Sequence, residues 1–144
     1  MLAFLLALAL GQARLPLPPA SPVWSSWPAQ GTITTPFSSA HPGIDIGMLR
    51  SLEVRVAQPG TVVAAGRPHG YDGYGNVVVL ADGRGFTTLY AHLAGWRVRV
   101  GEYLWPGERI GTAGCTGWGT GTHLHFEMRL RGRPVNPLSF QQMQ

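Results

Sequence analysis

The amino-acid sequence predicts an all-β protein built mainly from antiparallel sheet. From Gly31 onward, short segments rich in β-branched and aromatic residues alternate with dense turn signals, which is the pattern of antiparallel β domains. The 144 residues include 20 glycines and 12 prolines, and both residue types disfavour long helices. No segment of useful length has the apolar period of about 3.6 residues that a helix requires, so strands are expected to form the core.

Eight strands are predicted between the turns. In chain order they are Thr32–Thr35, Glu53–Ala57, Thr61–Ala65, Asn76–Ala81, Phe86–Leu93, Arg97–Val100, Glu108–Gly111 and His123–Leu130. Pro59-Gly60 fits a tight turn before the third strand. Asp82-Gly83 separates two apolar strands, which is among the clearest sequence signals of a β-hairpin. The chain has the size of a single domain, so these strands are expected to enclose one core.

The first 30 residues are expected to lie outside that core. Residues 1–13 form an uncharged aliphatic run that ends in Gly11-Gln12-Ala13, which is typical of a signal peptide. A spanning helix needs about 20 apolar residues, so a cleaved signal is expected rather than a permanent membrane span, with an uncleaved anchor as the alternative. Residues 14–30 are a Pro-rich lead-in whose Trp24 and Trp27 should attach its end to the domain. Export to the periplasm, cell envelope or extracellular space follows from this interpretation.

Charge and cysteine content restrict the classes of partner. All 11 basic residues are arginines and the net charge is +4. Coding bias together with solvated strand faces explains this composition, and adhesion to an anionic envelope surface is the alternative. There is no run of basic residues, so nucleic acid is not an expected partner. Cys115 is the only cysteine, so no internal disulfide can form. A buried, inert thiol is expected at Cys115, with a zinc ligand as the alternative. The protein is expected to be a monomer.

His41 and Asp45 are separated by a Pro42-Gly43 pair that disfavours a helix. In an extended strand the two residues would be roughly 13 Å apart, too far to share one ion. Both bind a metal only if the chain bends at Pro42-Gly43. A surface histidine beside a turn aspartate is the alternative.

His123 and His125 are predicted to share one face of a strand with Glu127. Their apolar neighbours Leu124, Phe126 and Met128 should occupy the opposite face. About 6.6 Å separates the two histidines along a strand. Both can therefore bind one metal, or one can bind while the other addresses a metal-bound water, and a plain polar strand face is the third possibility.

Two further histidines depend on their context. His92 is predicted at the end of a strand, on the face of Tyr90 and opposite Leu89 and Leu93, where a histidine taken alone would be a hydrogen-bonded structural residue. His69 lies in a loop, where an exposed side chain is expected and a contact at the rim of a substrate groove is the alternative.

Three motifs occur in a fixed order along the chain. They are His41-x-x-x-Asp45, Tyr90-Ala91-His92-Leu93 and Thr120-Gly121-Thr122-His123-Leu124-His125-Phe126-Glu127. Together they resemble the lysostaphin/LytM family of zinc endopeptidases. The stretches Gly73–Val79, Gly101–Gly107, Ile110–Gly114 and Val135–Pro137 agree as well, and the resemblance extends from about Gly31 to Leu138.

The resemblance implies a role for each motif residue. His41, Asp45 and His125 would hold one zinc ion, and His92 and His123 would form the catalytic pair beside the metal and its water. Three protein ligands leave an open position on the ion, as catalytic zinc requires. Zinc would activate the water and polarise the scissile carbonyl, and a histidine can accept and return the proton. The sequence does not decide which histidine of the pair does which.

The resemblance also implies a fold and a reaction. Residues 31–140 would form the zinc endopeptidase domain, a compact antiparallel β-sheet domain with a substrate groove, of the duplicated hybrid motif or barrel-sandwich type. Its substrates would be the peptides of bacterial cell-wall peptidoglycan. One alternative is a regulator, non-hydrolytic or with a dual role, that recruits or activates other wall hydrolases. Another is a zinc hydrolase of soluble peptides.

The sequence departs from the family pattern near the first ligand. Some relatives carry a tyrosine there that could steady the oxyanion, whereas this chain has Phe37, and Tyr74 is a weak substitute. The stretch from Phe37 to His41 is very short, so a low groove wall is expected. Glu127 is interpreted as a strand-face residue or a partner of a ligand. The weaker candidates for substrate contact are Tyr74, Asn76, Thr120 and His69.

Overall fold

The computed structural model describes Trp24, residues 26–117 and residues 121–141. The predicted signal peptide at residues 1–13, most of the lead-in at residues 14–30, and Thr120 lie outside this part of the chain. The strands are β1 (Thr32–Thr35), β2 (Ile44–Gly47), β3 (Glu53–Arg55), β4 (Gly60–Gly66), β5 (Val77–Ala81), β6 (Phe86–Ala91), β7 (Leu93–Trp96), β8 (Tyr103–Leu104), β9 (Arg109–Ala113), β10 (Leu124–Leu130) and β11 (Arg133–Val135). A 3₁₀ turn at Pro137–Ser139 is the one helical element in these ranges.

Two antiparallel sheets make up the fold. The larger sheet has eight strands in the order β1-β2-β10-β6-β5-β4-β8, with β11 also paired to β10, and the smaller sheet has the order β3-β9-β7. Neither sheet closes into a barrel over the described residues. The predicted all-β antiparallel fold is confirmed. Searched over the same residues, no helix has the length and apolar character needed to cross a membrane.

The central strand β10 contributes to the hydrophobic core with one face and to a group of polar residues with the other. It pairs with β2 on one side and β6 on the other, so that His125 lies opposite Asp45 and Ala91. Its alternate residues Leu124, Phe126 and Met128 are fully buried in the main core, as the alternation predicts. His125 and Glu127 therefore occupy the opposite face of the same strand.

The main core collects apolar side chains from both sheets. Its members include Ile44 and Ile46 of β2, Val54 of β3, Ile110 of β9 and the three apolar residues of β10. A smaller cluster of Val77, Val79, Leu89 and Ala91 lies on the other face of β5 and β6, with Tyr71 and Tyr74 packed on it. The side chain of Trp24 is 1% exposed, and its indole nitrogen donates to the Pro137 carbonyl at 2.8 Å. The end of the lead-in is thus attached, although Trp27 stays 38% exposed.

The predicted strand Phe86–Leu93 is wrong at its end. It stops at Ala91 because His92 has a left-handed backbone conformation, with φ of 60°, which lies outside the β region of backbone angles. The chain then enters β7 at Leu93 and joins the smaller sheet. The strand predicted at Arg97–Val100 is wrong, because these residues form no strand and the strand in this part of the chain is Leu93–Trp96.

Three strands were not predicted from the sequence because they are short or lie beside or contain turn residues. β2 directly follows the Pro42-Gly43 pair, which indicates a turn. β8 has two residues, and β11 contains Pro134, which sequence rules confine to edge strands. The expectation of a buried Cys115 is also wrong, since the thiol is exposed. The inward contact of its loop is made by Thr116, whose hydroxyl donates to the Leu93 carbonyl at 2.9 Å.

Replacing Phe126 with alanine should destabilise the protein by about 3–5 kcal/mol, the usual cost of truncating a buried aromatic side chain. Phe126 is 0% exposed and packs against Trp24 and Tyr90 at ring distances of 5.7 and 5.3 Å. Denaturant unfolding of the metal-free protein measures the loss. Val63→Ala is the control, because this side chain is 49% exposed and its loss should cost less than about 0.5 kcal/mol. Equal losses would contradict the assignment of Phe126 to the core.

Candidate functional site

Three polar side chains converge where β2 meets β10. His41 lies three residues before β2, Asp45 belongs to β2 and His125 belongs to β10. Their possible ligand atoms all lie within 4.8 Å of one another. The Asp45 carboxylate lies between the rings, with Oδ2 at 3.2 Å from His41 Nε2 and Oδ1 at 2.7 Å from His125 Nδ1. Two nitrogens and a carboxylate thus face one point.

The chain bends between His41 and Asp45, as simultaneous binding of one ion by these residues requires. A Cβ atom on Gly43 would lie 2.3 Å from the carbonyl oxygen of Phe126 in β10, so only glycine fits this approach. Ser38 and His41 form an isolated antiparallel bridge, which makes the segment before the bend a tight turn. The short connection therefore places His41 directly against the end of the sheet.

Hydrogen bonds fix which ring nitrogen each of these histidines presents. His41 Nδ1 lies 3.1 Å from the Pro36 carbonyl. A carbonyl can only accept, so Nδ1 carries the hydrogen, and Nε2 of the neutral ring faces Asp45 with its lone pair. His125 is turned the other way, because its Nε2 contacts the carboxylate of Glu127 at 2.9 Å and its Nδ1 faces Asp45. In each ring, the nitrogen that does not face Asp45 is held by a hydrogen-bond partner, and this contact orients the ring.

The electrostatics of the cluster favour a positive charge. Burial lowers the pKa of His125, but the hydrogen bonds to Asp45 and Glu127 outweigh it and raise the pKa to about 9. Burial raises the pKa of Asp45, whereas the hydrogen bond and charge of His125 bring the pKa below its ordinary value. Two carboxylates therefore stabilise a cation at this point, either a proton on His125 or a metal ion in its place.

His92 and His123 lie beside this cluster with their rings 5.1 Å apart. His92 Nδ1 contacts the Thr116 carbonyl at 2.6 Å and His123 Nδ1 contacts the Gly121 carbonyl at 2.7 Å. Both Nδ1 atoms must therefore carry hydrogen, and both Nε2 atoms are left without it in the neutral rings. Burial, together with the nearby histidines, lowers the pKa of His92. Its neutral form, the form that accepts a proton, therefore prevails near pH 7.

The predicted face of His92 is wrong. The residue was expected on the side of Tyr90, but Tyr90 lies in the main core whereas the His92 ring is 5.9 Å from the His125 ring. The left-handed backbone at His92 interrupts the alternation of the strand. This reversal turns the imidazole to the side of the sheet that carries His125.

A cavity of about 630 Å³ brings all these side chains to one surface. It is lined by His41, Asp45, His92, His123 and His125, and by Ala40, Pro42, Asp72, Gly73 and Tyr74. The side chains of His41 and Asp45 remain 21% and 19% exposed, so solvent and a substrate can reach them. Its volume suits several residues of an extended peptide or a comparable ligand.

The weaker candidates for substrate contact have different surroundings. Tyr74 lines the cavity, but its hydroxyl lies 2.5 Å from Glu127. Asn76 lies outside the cavity lining, with its amide donating to the Leu93 carbonyl at 2.8 Å. His69 is exposed in a turn and also lies outside the lining. Thr120 falls in the part of the chain that is not described.

Two supporting residues were not assigned a definite role by the sequence. Thr116 supplies the carbonyl that orients His92, and its hydroxyl also accepts a hydrogen bond from the backbone N–H of Asn76 at 3.1 Å. No local pattern signals a contact between residues 24 positions apart. Glu127 is 0% exposed and contacts His125. Its position two residues after His125, on the same face of the strand, was the sequence signal for this contact.

Comparison with known proteins identifies the family. Residues 39–137 match the family described as Peptidase family M23, which covers more than half of the chain. The chain belongs to peptidase family M23. The resemblance to lysostaphin-type endopeptidases inferred from the motifs is thereby confirmed.

Curated M23 relatives carry two kinds of name. The chain is 42% identical over 98 residues to the peptidoglycan DD-endopeptidase ShyA of Vibrio cholerae, covering 68% of this chain and 22% of the relative. It is 33% identical over 117 residues to the murein hydrolase activator NlpD of Escherichia coli, covering 79% of this chain and 30% of the relative. The chain thus spans about a fifth to a third of the length of these relatives.

Solved M23-like structures share the fold. A zinc-containing peptidase from Vibrio cholerae is 30% identical with a TM-score of 0.67, over 81% of this chain and 39% of that one. Lysostaphin from Staphylococcus simulans, an antimicrobial peptidase, is 30% identical with a TM-score of 0.66, over 83% of this chain and 52% of that one. The antiparallel architecture is therefore that of known peptidases.

Proposed function

We propose that this M23 chain is a zinc-dependent endopeptidase that hydrolyses peptide bonds of bacterial cell-wall peptidoglycan. The observation that carries the proposal is the convergence of His41, Asp45 and His125 in a cavity that His92 and His123 also line. Metal donors and proton-transferring groups thus share one substrate-sized space, which is the arrangement that metal-assisted hydrolysis requires.

The donor set fits zinc. Two imidazole nitrogens and one carboxylate oxygen are a common three-ligand set of catalytic zinc, which keeps a further position open. His41 Nε2, Asp45 and His125 Nδ1 would hold the ion. When bound, Zn²⁺ supplies a Lewis acid that activates water and polarises a carbonyl.

His92 and His123 are the proposed catalytic residues. Their Nδ1 atoms are tied to backbone carbonyls, so each presents Nε2 to the cavity in a fixed orientation. His92, whose pKa is lowered, presents an unprotonated nitrogen that can take a proton from water. A histidine at this place can then return a proton to the leaving amine.

The proposed substrate determines where the protein works and with what. Peptidoglycan peptides lie outside the cytoplasmic membrane, so export to the periplasm, envelope or extracellular space is part of the proposal. The name of the relative ShyA supports the substrate class. We propose no nucleic-acid partner and a monomeric chain.

A regulatory role is the second candidate. The similarity to the activator NlpD extends over 117 residues, a longer stretch than the similarity to ShyA. The chain nevertheless carries all five side chains that hydrolysis needs, so a role confined to activation would leave this set without a use. Both roles together are compatible with the same chain.

The purified chain should bind one Zn²⁺ ion and release peptide fragments from purified peptidoglycan. Elemental analysis measures the stoichiometry, and mass spectrometry of the released fragments identifies the bond that is cut. A chelator should abolish release and added Zn²⁺ should restore it, because no other described group could replace the ion as a Lewis acid.

The same assay separates the two candidate functions. Zinc-dependent release by the chain alone supports the endopeptidase. A chain that releases nothing by itself, but stimulates a second wall hydrolase equally with and without chelation of its own metal, would refute the endopeptidase and support the regulator.

A further inference from the structure

A buried carboxylate lies directly behind His125. Glu127 is 0% exposed and contacts three donors. Its Oε1 atom lies 2.9 Å from His125 Nε2 and 2.5 Å from the Tyr74 hydroxyl, and its Oε2 atom accepts from Arg129 Nε at 2.8 Å and from the terminal guanidinium nitrogen at 2.7 Å. The carboxylate is thus fully engaged, and its partners come from β10 and from the segment before β5.

The partners of Glu127 match a charged carboxylate. Arg129 faces Oε2 with two guanidinium nitrogens, and the His125 ring and the Tyr74 hydroxyl face Oε1. A buried carboxylate without such partners would strongly destabilise the fold. Its cross-strand neighbour is the apolar Leu89, so packing alone would be served by an apolar residue at this position.

His125 differs from the other histidines of the site in what holds its ring. His41, His92 and His123 are oriented by neutral backbone carbonyls through Nδ1. His125 is oriented by a carboxylate through Nε2. A carboxylate behind an imidazole fixes its tautomer and raises the basicity of the nitrogen that faces a metal.

We propose that Glu127 is a positioning residue that fixes Nδ1 of His125 toward Asp45 and strengthens it as a metal ligand. Tyr74 and Arg129 hold the carboxylate in place. The inference rests on the proposed zinc site and extends it by three residues that would not touch the ion.

Tyr74 has a different role from the one that the sequence suggested, which was to steady an oxyanion. Its ring lines the cavity but its hydroxyl is used by Glu127 and lies 3.2 Å from Arg129. Burial and the hydrogen bond to Glu127 raise the pKa of Tyr74 to about 12, so the hydroxyl keeps its proton and remains a donor. It therefore supports the carboxylate rather than an oxyanion of the substrate.

The test removes the negative charge of Glu127 and keeps the shape of its side chain. Glu127→Gln should weaken Zn²⁺ binding by about 10–100-fold, the usual effect of removing such a partner, as measured by competition with a chelator of known affinity. The visible absorption of the Co²⁺-substituted protein should change in position or intensity, because the ligand field of His125 changes. Tyr74→Phe, which keeps the carboxylate and removes one donor, should shift affinity in the same direction by less.

Glu53→Gln is the matched control. Glu53 is a half-buried carboxylate on the smaller sheet that pairs with Arg55 and Arg109, so its loss should leave Zn²⁺ affinity and the Co²⁺ spectrum as in the wild type. If Glu127→Gln folds and behaves like this control, the inference is overturned. If Glu127→Gln does not fold, Tyr74→Phe decides, and a wild-type Zn²⁺ affinity and Co²⁺ spectrum in that variant overturn the inference.

Failure of the proposed function gives a different result. A wild type that binds Zn²⁺ but leaves peptidoglycan intact refutes the endopeptidase, while the affinity difference between Glu127→Gln and Glu53→Gln still supports the positioning role. A wild type that binds no Zn²⁺ overturns both.

Discussion

Replacement of Asp45 with alanine is expected to abolish zinc binding and wall cleavage together. Asp45 contacts the rings of His41 and His125 through its two oxygens, so its loss removes one proposed ligand and the negative charge that draws two imidazoles to one point. Zn²⁺ affinity should fall by more than the roughly 10–100-fold expected for a residue behind a ligand. Chelator competition and the release of wall fragments, measured on the same preparation, give the two quantities.

Asp72→Ala provides the control for charge. Asp72 also lines the cavity and is exposed, but it lies outside the cluster of possible ligands. This variant should retain zinc. An Asp45→Ala protein that keeps wild-type zinc affinity, or an Asp72→Ala protein that loses zinc, would show that the ion is held elsewhere.

Replacement of His123 with alanine should leave zinc bound while turnover slows by about 10²–10⁴-fold, the range for losing a general acid or base. His123 Nε2 lies 3.8 Å from Asp45 Oδ1, farther than His125 Nδ1, and the residue is not in the ligand cluster. His92→Ala should behave in the same way. Zinc content and turnover number are the two readouts.

His125→Ala is the partner variant, two residues further along the chain. It should lose zinc and activity in step, since it removes a proposed ligand. The pair is informative because spacing on a strand allows either histidine to bind. If His123→Ala strips the zinc while His125→Ala retains it, the two roles are reversed.

The sequence predicted the parts of the fold that depend on local alternation. In β10 the apolar residues Leu124, Phe126 and Met128 enter the core, and the hairpin at Asp82-Gly83 joins β5 to β6, because each pattern depends only on neighbouring residues. The end of β6 was mispredicted because the left-handed conformation of His92 depends on distant partners, the Tyr74 carbonyl at 2.9 Å and the Thr116 carbonyl at 2.6 Å.

The sequence motifs and the family resemblance predicted which five residues form the site, His41, Asp45, His92, His123 and His125. The bend required between His41 and Asp45 is present, since their side chains approach to 3.2 Å. What the sequence could not supply is the support behind each ring. The contact between Tyr74 and Glu127 spans 53 positions, and its existence depends on how β10 and the segment before β5 pack.

The backbone at His92 would set the proposed catalytic role of this residue against the stability of the fold. A non-glycine residue in the left-handed region costs on the order of 1–3 kcal/mol, and glycine would adopt the same conformation freely. Glycine, however, carries no imidazole. His92 lies where the chain passes from one sheet to the other. Under the proposed function, selection for a more stable fold would favour glycine at this position and selection for turnover would favour histidine. A search for thermostable variants of the proposed enzyme should therefore leave this position unchanged.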